Sequence, residues 1–165
     1  MTVLNLTQIK RYLPHRYPLL LVDRVDEVVL GERISAVKAV TGNEAFFQGH
    51  FPGNPVVPGV LQIEAMGQAG VLLAILSGAK VDQDHTMYVS SITDCRFKRM
   101  VVPGDVMQLS AQILKKKMGT WKIQCQVHIE GQLASTATVT ATSGAKAAEP
   151  PLPEEFPPAI FEDQP

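Results

Sequence analysis

Hydrophobic and polar positions along this chain change their rhythm from one end to the other. Thr7 can cap a short helix over Gln8 to Leu13, which Pro14 ends. Leu19 to Leu30 is rich in Leu and Val and reads as a strand. Gly31-Glu32 is a turn, and Arg33 to Val40 returns as a second strand. Asn43 to Gln48 holds one helical turn. Gly49 to Gly59, GHFPGNPVVPG, packs three prolines and three glycines into eleven residues, which excludes a regular element and predicts a shaped loop. Pro58 suits the first position of a helix, where its missing N–H costs nothing. That helix runs to about Ser77, and Gly78 suits its C-terminal cap. Between Val60 and Leu76 only Gln62, Glu64 and Gln68 are polar, so the helix is buried on most sides.

Beyond the helix the period falls towards two. Strands are predicted at His85 to Ser91, Thr93 to Val101, Val106 to Lys115, Trp121 to Glu130 and Leu133 to Thr142, with turns at Gly119 and Gly131. Trp121, Ile123, Cys125, Val127 and Ile129 alternate cleanly. No internal repeat is present. The order is α+β: a twisted antiparallel sheet wrapped around one central helix. The sheet alone need not cover every side of that helix, so at least a dimer is expected.

Composition narrows the picture. A chain of 165 residues fits one domain with a real core. A hydrophobic share of 45% with 19% charged residues excludes a disordered chain. A net charge of -1 disfavours a nucleic-acid binder, which carries a basic domain. Cys95 and Cys125 fit neither a disulfide framework nor a metal motif, and read as reduced thiols of a cytoplasmic protein. The charge is uneven. Residues 150–165 hold four acids, no Lys or Arg, and six of the twelve prolines, leaving fifteen bases against twelve acids, about +3, in residues 1–149. Residues 1–144 are accordingly read as the folded domain and 145–165 as a Pro-rich acidic tail. Met1 to Lys10 lacks the charged and apolar regions of a signal peptide. The longest apolar stretch, Ala65 to Ala79, is shorter than the ~20 residues that span a bilayer, so no membrane insertion is expected.

His50 and Glu64 are the candidate chemistry. The prolines of the loop stiffen it and its glycines allow close approach to a ligand, which can hold His50 in one pose. A lone loop histidine is more often a surface or hydrogen-bonding residue. Glu64 is the only acid between Glu44 and Asp82, on an otherwise apolar helix. Burial favours a protonated carboxyl, which suits a general acid. Gln68, one turn on, shares its face and can hydrogen-bond it, whereas Gln62 points away. The free N–H groups after Pro58, beginning at Gly59, lie at the positive end of the helix dipole and can polarise a carbonyl oxygen. The set suits removal of a proton alpha to a carbonyl with loss of a beta leaving group. His50, Glu64 and His15 include metal-binding residue types, but no dense ligand motif supports a metal, and no cofactor is expected.

At these residues the chain resembles a known family. LPHRYPLLLVDRV (Leu13 to Val25), NEAFFQGHFPGNPVVPGVLQIEAMGQAG (Asn43 to Gly70) and RFKRMVVPGD (Arg96 to Asp105) are similar to the (3R)-hydroxyacyl-[acyl carrier protein] dehydratases of bacterial type II fatty-acid synthesis, in the same order over roughly residues 5–142. The resemblance implies a hot-dog fold, a dimer commonly assembled as three dimers in a hexamer, and an acyl carrier protein as partner. It implies His50 and Glu64 as the catalytic pair, meeting across the dimer interface, with Gly59 on the thioester carbonyl and Gln68 in support. Glu, rather than the Asp of the related bifunctional dehydratase/isomerase, favours dehydration without isomerisation. Phe46, Phe51, Val57, Val60, Leu61 and Ile92 are candidates for an acyl tunnel. Arg96, Lys98 and Arg99, with Lys115, Lys116 and Lys117, are candidates for docking an acidic carrier protein. The segment Ser90 to Phe97, SSITDCRF, departs from the family's usual AGIDxARF and bears on chain length. A hot-dog thioesterase, a non-catalytic acyl-binding subunit and a dehydratase of a specialised lipid or polyketide pathway are the competing readings.

Overall fold

The computed structural model describes residues 2–147. Helix α1 (Leu6–Ile9) is followed by strands β1 (Arg24–Val29) and β2 (Arg33–Ala39), a 3₁₀ turn (Ala45–Gln48), the long helix α2 (Gly59–Leu76), and strands β3 (His85–Phe97), β4 (Val106–Lys117), β5 (Thr120–Ile129) and β6 (Gln132–Ala145). The six strands form one sheet in the order β1-β2-β4-β5-β6-β3, and every pair is antiparallel.

The sheet wraps α2. Ala65, Met66, Ala69, Leu72, Leu73 and Ala74 are buried in one core with the inward positions of β5, which are the alternating Trp121, Ile123, Cys125, Val127 and Ile129. Burying each large side chain contributes about 1.5–3 kcal/mol. Gly70 sets how close helix and sheet come: a Cβ there would lie 3.3 Å from both Cys125 Sγ and Ile123 Cγ2. By length and composition α2 matches a membrane span, but its apolar surface faces this core. Its first turn is the exception, where Val60 stays 71% exposed.

Four expectations are corrected. Asn5, not Thr7, caps α1, in a reciprocal capping box with Gln8, so the helix starts earlier and is shorter. The stretch Leu19 to Asp23 is not strand, because part of its backbone is bonded to a side chain of α2. Pro58 is the N-cap rather than the first helical residue. His85 to Ser91 and Thr93 to Val101 are not two strands. They belong to β3, which absorbs the irregularity with register shifts at Val89/Ser91 and Thr93/Arg96 and ends at Phe97. At the far end β6 continues through Ala145, and Lys146 is tied to the backbone of Asp82, Gln83 and Asp84. The expected acidic tail otherwise lies outside the described residues.

Candidate active site

The loop carrying His50 is fixed by its own backbone. Phe51 and Asn54 exchange two hydrogen bonds (3.1 and 2.9 Å), and the Val56 N–H donates to the His50 carbonyl (3.1 Å). Gly53, at φ +75°, supplies the left-handed position of this turn. Val57 N–H donates to Val101 O at 2.8 Å, tying the loop to the segment beyond β3. His50 Nδ1 lies 2.7 Å from Val56 O. A proton on Nδ1 satisfies that carbonyl and leaves the Nε2 lone pair free, the arrangement a general base needs. The imidazole stacks on the Phe51 ring, centroids 4.0 Å apart.

His50 opens on a cleft of about 650 Å³ lined chiefly by apolar groups, among them Val57, Pro58, Gly59, Val60, Phe97 and Met100, with Lys98 and Arg99 beside it. Gly59 opens α2 here. A Cβ on it would come within 2.8 Å of the Phe97 ring, so only glycine lets that ring lie against the helix N-terminus. Phe97 was not singled out by sequence reasoning. Its signals were its place in RFKRM, among the charges read as docking residues, and at the end of the divergent segment Ser90 to Phe97.

Glu64 faces elsewhere. It lines a second cavity, about 290 Å³, with His15, Gln68, Tyr88, Val89 and Ile92. Its side chain keeps 37% of its accessible surface, so the expected burial is not achieved within one chain. Gln68 Nε2 donates to Glu64 Oε1 at 2.8 Å, as their one-turn spacing predicts. Gln68 does more than that. Its Nε2 also donates to Leu19 O (2.6 Å), and its Oε1 accepts from the buried Leu21 N–H (2.9 Å). The amide is fully used in holding Glu64 and the N-terminal segment together. His15 Nε2 lies 3.4 Å from the same Glu64 oxygen. The two cavities share no lining residue, so within one chain His50 and Glu64 face separate cavities.

The other expected residues divide. Val57 and Val60 line the His50 cleft and Ile92 the Glu64 cavity. Phe51 stacks on His50 but is not part of the cleft lining. Phe46 and Leu61 pack with Leu21 and Met107 around a void of only about 10 Å³, too small for an acyl chain. Arg96 donates to Cys95 O. Arg99 is paired with Asp105 (3.3 Å). Lys98 lines the cleft with no ion pair among the described residues. Lys116 lies over the Trp121 ring at 4.3 Å, while Lys115 and Lys117 border a different groove with Met118 and Lys122. The six cations are therefore not one patch.

One helix wrapped by a curved antiparallel sheet, with a histidine on a stiff loop beside the helix start and a carboxyl on the helix, defines a hot-dog protein. Solved structures agree on the fold: the dehydratase heterocomplex ApeI:P from Xenorhabdus doucetiae superposes with a TM-score of 0.69 at 18% identity, over 82% of this chain and 90% of that one. A hypothetical thioesterase from Streptococcus pneumoniae TIGR4, solved with coenzyme A, gives 0.58 at 12% identity, over 75% and 87%. Residues 13–138 match the model of the FabA-like domain. The chain is 49% identical over 143 residues to the 3-hydroxyacyl-[acyl-carrier-protein] dehydratase FabZ of Janthinobacterium sp. (strain Marseille), covering 86% of this chain and 92% of that protein. It is 47% identical over 140 residues to the FabZ of Nitratidesulfovibrio vulgaris (strain DP4), covering 85% and 91%. The chain belongs to the FabA-like family.

Proposed function

We propose that this chain dehydrates (3R)-3-hydroxyacyl thioesters carried on acyl carrier protein to trans-2-enoyl thioesters in fatty-acid biosynthesis, as a cytoplasmic enzyme. The observation that carries this reading is the near-half identity, over almost the whole folded body, to dehydratases of that name, with His50 and Glu64 both present. His50 Nε2 takes the C2 proton. Glu64 Oε2 gives a proton to the C3 hydroxyl, which leaves as water while the C2–C3 double bond forms. The Gly59 N–H stabilises charge on the thioester oxygen. Net loss is one water, and the proton on His50 returns to Glu64 through solvent.

The active unit is a homodimer, with His50 of one subunit working with Glu64 of the partner subunit. Two features support it. The halves occupy separate cavities in one chain. The outer edge of β3 also carries Tyr88, Val89 and Ile92, each 46% exposed, beside Phe97. A long apolar edge strand invites pairing with another. Lys98, which lines the His50 cleft, suits an acidic carrier protein.

Incubation of the full chain with 3-hydroxyacyl-carrier proteins of several chain lengths, followed by mass spectrometry, tests the reaction. Enoyl product is expected. Free acid would indicate hydrolysis instead, and no water loss at any length would remove the dehydratase reading. Mixing inactive His50→Ala and Glu64→Ala proteins and re-forming dimers tests the shared site, with partial recovery of activity expected.

A further inference from the structure

The mechanism above uses only one oxygen of Glu64, and the structure distinguishes the two. Oε1 receives the Gln68 amide at 2.8 Å and lies 3.4 Å from His15 Nε2. Oε2 has no hydrogen-bond partner among the described residues. His15 itself is held from behind. The Arg16 guanidinium donates to the carbonyls of Leu13 (2.9 Å), His15 (2.7 Å) and Lys10 (3.2 Å), which pins the turn bearing His15. On the ring, Nδ1 is buried without a partner while Nε2 faces the Glu64 cavity. A proton on Nε2 leaves only a lone pair at the buried Nδ1. A proton on Nδ1 would bury an unmet donor, which costs more. The ring therefore directs an N–H at Oε1.

We propose that His15 is a positioning residue for Glu64. With Gln68 it fixes Oε1 as the acceptor oxygen, so that the transferable proton resides on Oε2 and points into the cavity. The 3.4 Å separation is longer than a hydrogen bond and closes when substrate fills the cavity, as catalytic contacts in unliganded enzymes commonly do. The two donors come from unrelated parts of the chain, so neither alone sets the carboxyl plane. The proposal rests on the reading of Glu64 as the acid.

The test compares full-length His15→Ala, His15→Gln and His15→Asn with Glu64→Ala, measuring kcat and KM on a 3-hydroxyacyl-carrier protein and melting temperature on each protein. Gln carries its amide nitrogen about as far from the backbone as ring Nε2, and Asn does not. His15→Ala and His15→Asn are expected to lower kcat about tenfold or more with KM changed less than about twofold, and His15→Gln to recover most of kcat. Glu64→Ala is expected to fall to background. If Glu64→Ala stays active, the acid assignment falls and this proposal with it. If Glu64→Ala is dead but His15→Ala keeps kcat within about twofold, only the positioning role is overturned. It is equally overturned if Gln and Asn lose kcat alike, or if the losses follow melting temperature. Should His15→Ala fail to fold, the Gln and Asn pair decides by the same criterion.

Discussion

The surroundings of His50 are assembled from chain neighbours, whereas those of Glu64 are assembled across the fold. His50 is oriented by Val56, six residues on, within a loop that closes on itself and needs one long-range tie, to Val101. Glu64 is oriented by Gln68 one turn away, but Gln68 is anchored to Leu19 and Leu21, 49 and 47 positions distant, and His15 approaches from the same N-terminal segment. The difference teaches where damage spreads. A change in the loop should alter chemistry and little else. A change behind Glu64 should also loosen the packing of the N-terminal segment on α2.

The largest effects should fall on activity alone. His50→Ala should lower kcat/KM by about 10³-fold, within the usual range for general acid–base groups. Its denaturation midpoint should stay near that of the unmodified protein, because the ring's hydrogen bond and stacking partners, Val56 and Phe51, are its chain neighbours. A large drop in that midpoint would break the contrast between the two regions. Gln68→Leu should act on both quantities. It leaves the buried Leu21 N–H without its acceptor, which costs about 1–3 kcal/mol, and it frees Glu64, so denaturant unfolding and kcat should fall together.

Gly59→Ala should be milder. The added methyl group meets the Phe97 ring at 2.8 Å and must push it aside. A rate loss of about tenfold with little change in stability is expected from steady-state kinetics, and Phe97→Leu in the same chain should restore part of it. The smallest effect concerns Cys125, whose thiol burial pushes up to about 12 from 9.0. The folded state therefore holds the proton more tightly. Stability from this group is full below about pH 9 and is lost as pH rises towards 12. At pH 8 its thiolate fraction is about 10⁻⁴, so iodoacetamide should modify the half-buried Cys95 first. Gln68→Leu should speed labelling of Cys125, and His50→Ala should not.

Legibility in the sequence followed the range of the interactions. The alternation in β5 and the uniform apolarity of α2 report burial directly, and both elements are close to the expected ranges. The Glu64–Gln68 contact follows from helical spacing. The Leu19 to Asp23 stretch looked like strand because Leu and Val favour strands, yet the Leu19 carbonyl and Leu21 N–H serve Gln68 instead. Phe97 against Gly59 and His15 against Glu64 carried no local signal, since each joins residues of different elements. The two Lys and Arg clusters were read together as docking charge, but Arg99 is engaged by Asp105 and Lys116 by Trp121.

By itself, then, the sequence determined the central helix and the alternating strand β5, the stiff loop that presents His50, and the single carboxyl of the central helix. Those depend on backbone geometry and on periodicities spanning a few residues. Only the tertiary structure decided which groups surround each of them. It put Gln68 and His15 on one oxygen of Glu64, laid Phe97 on Gly59, and kept His50 and Glu64 in separate cavities. The physical reason is that a wrapped sheet sets the distance between residues dozens of positions apart, and no local pattern encodes that distance.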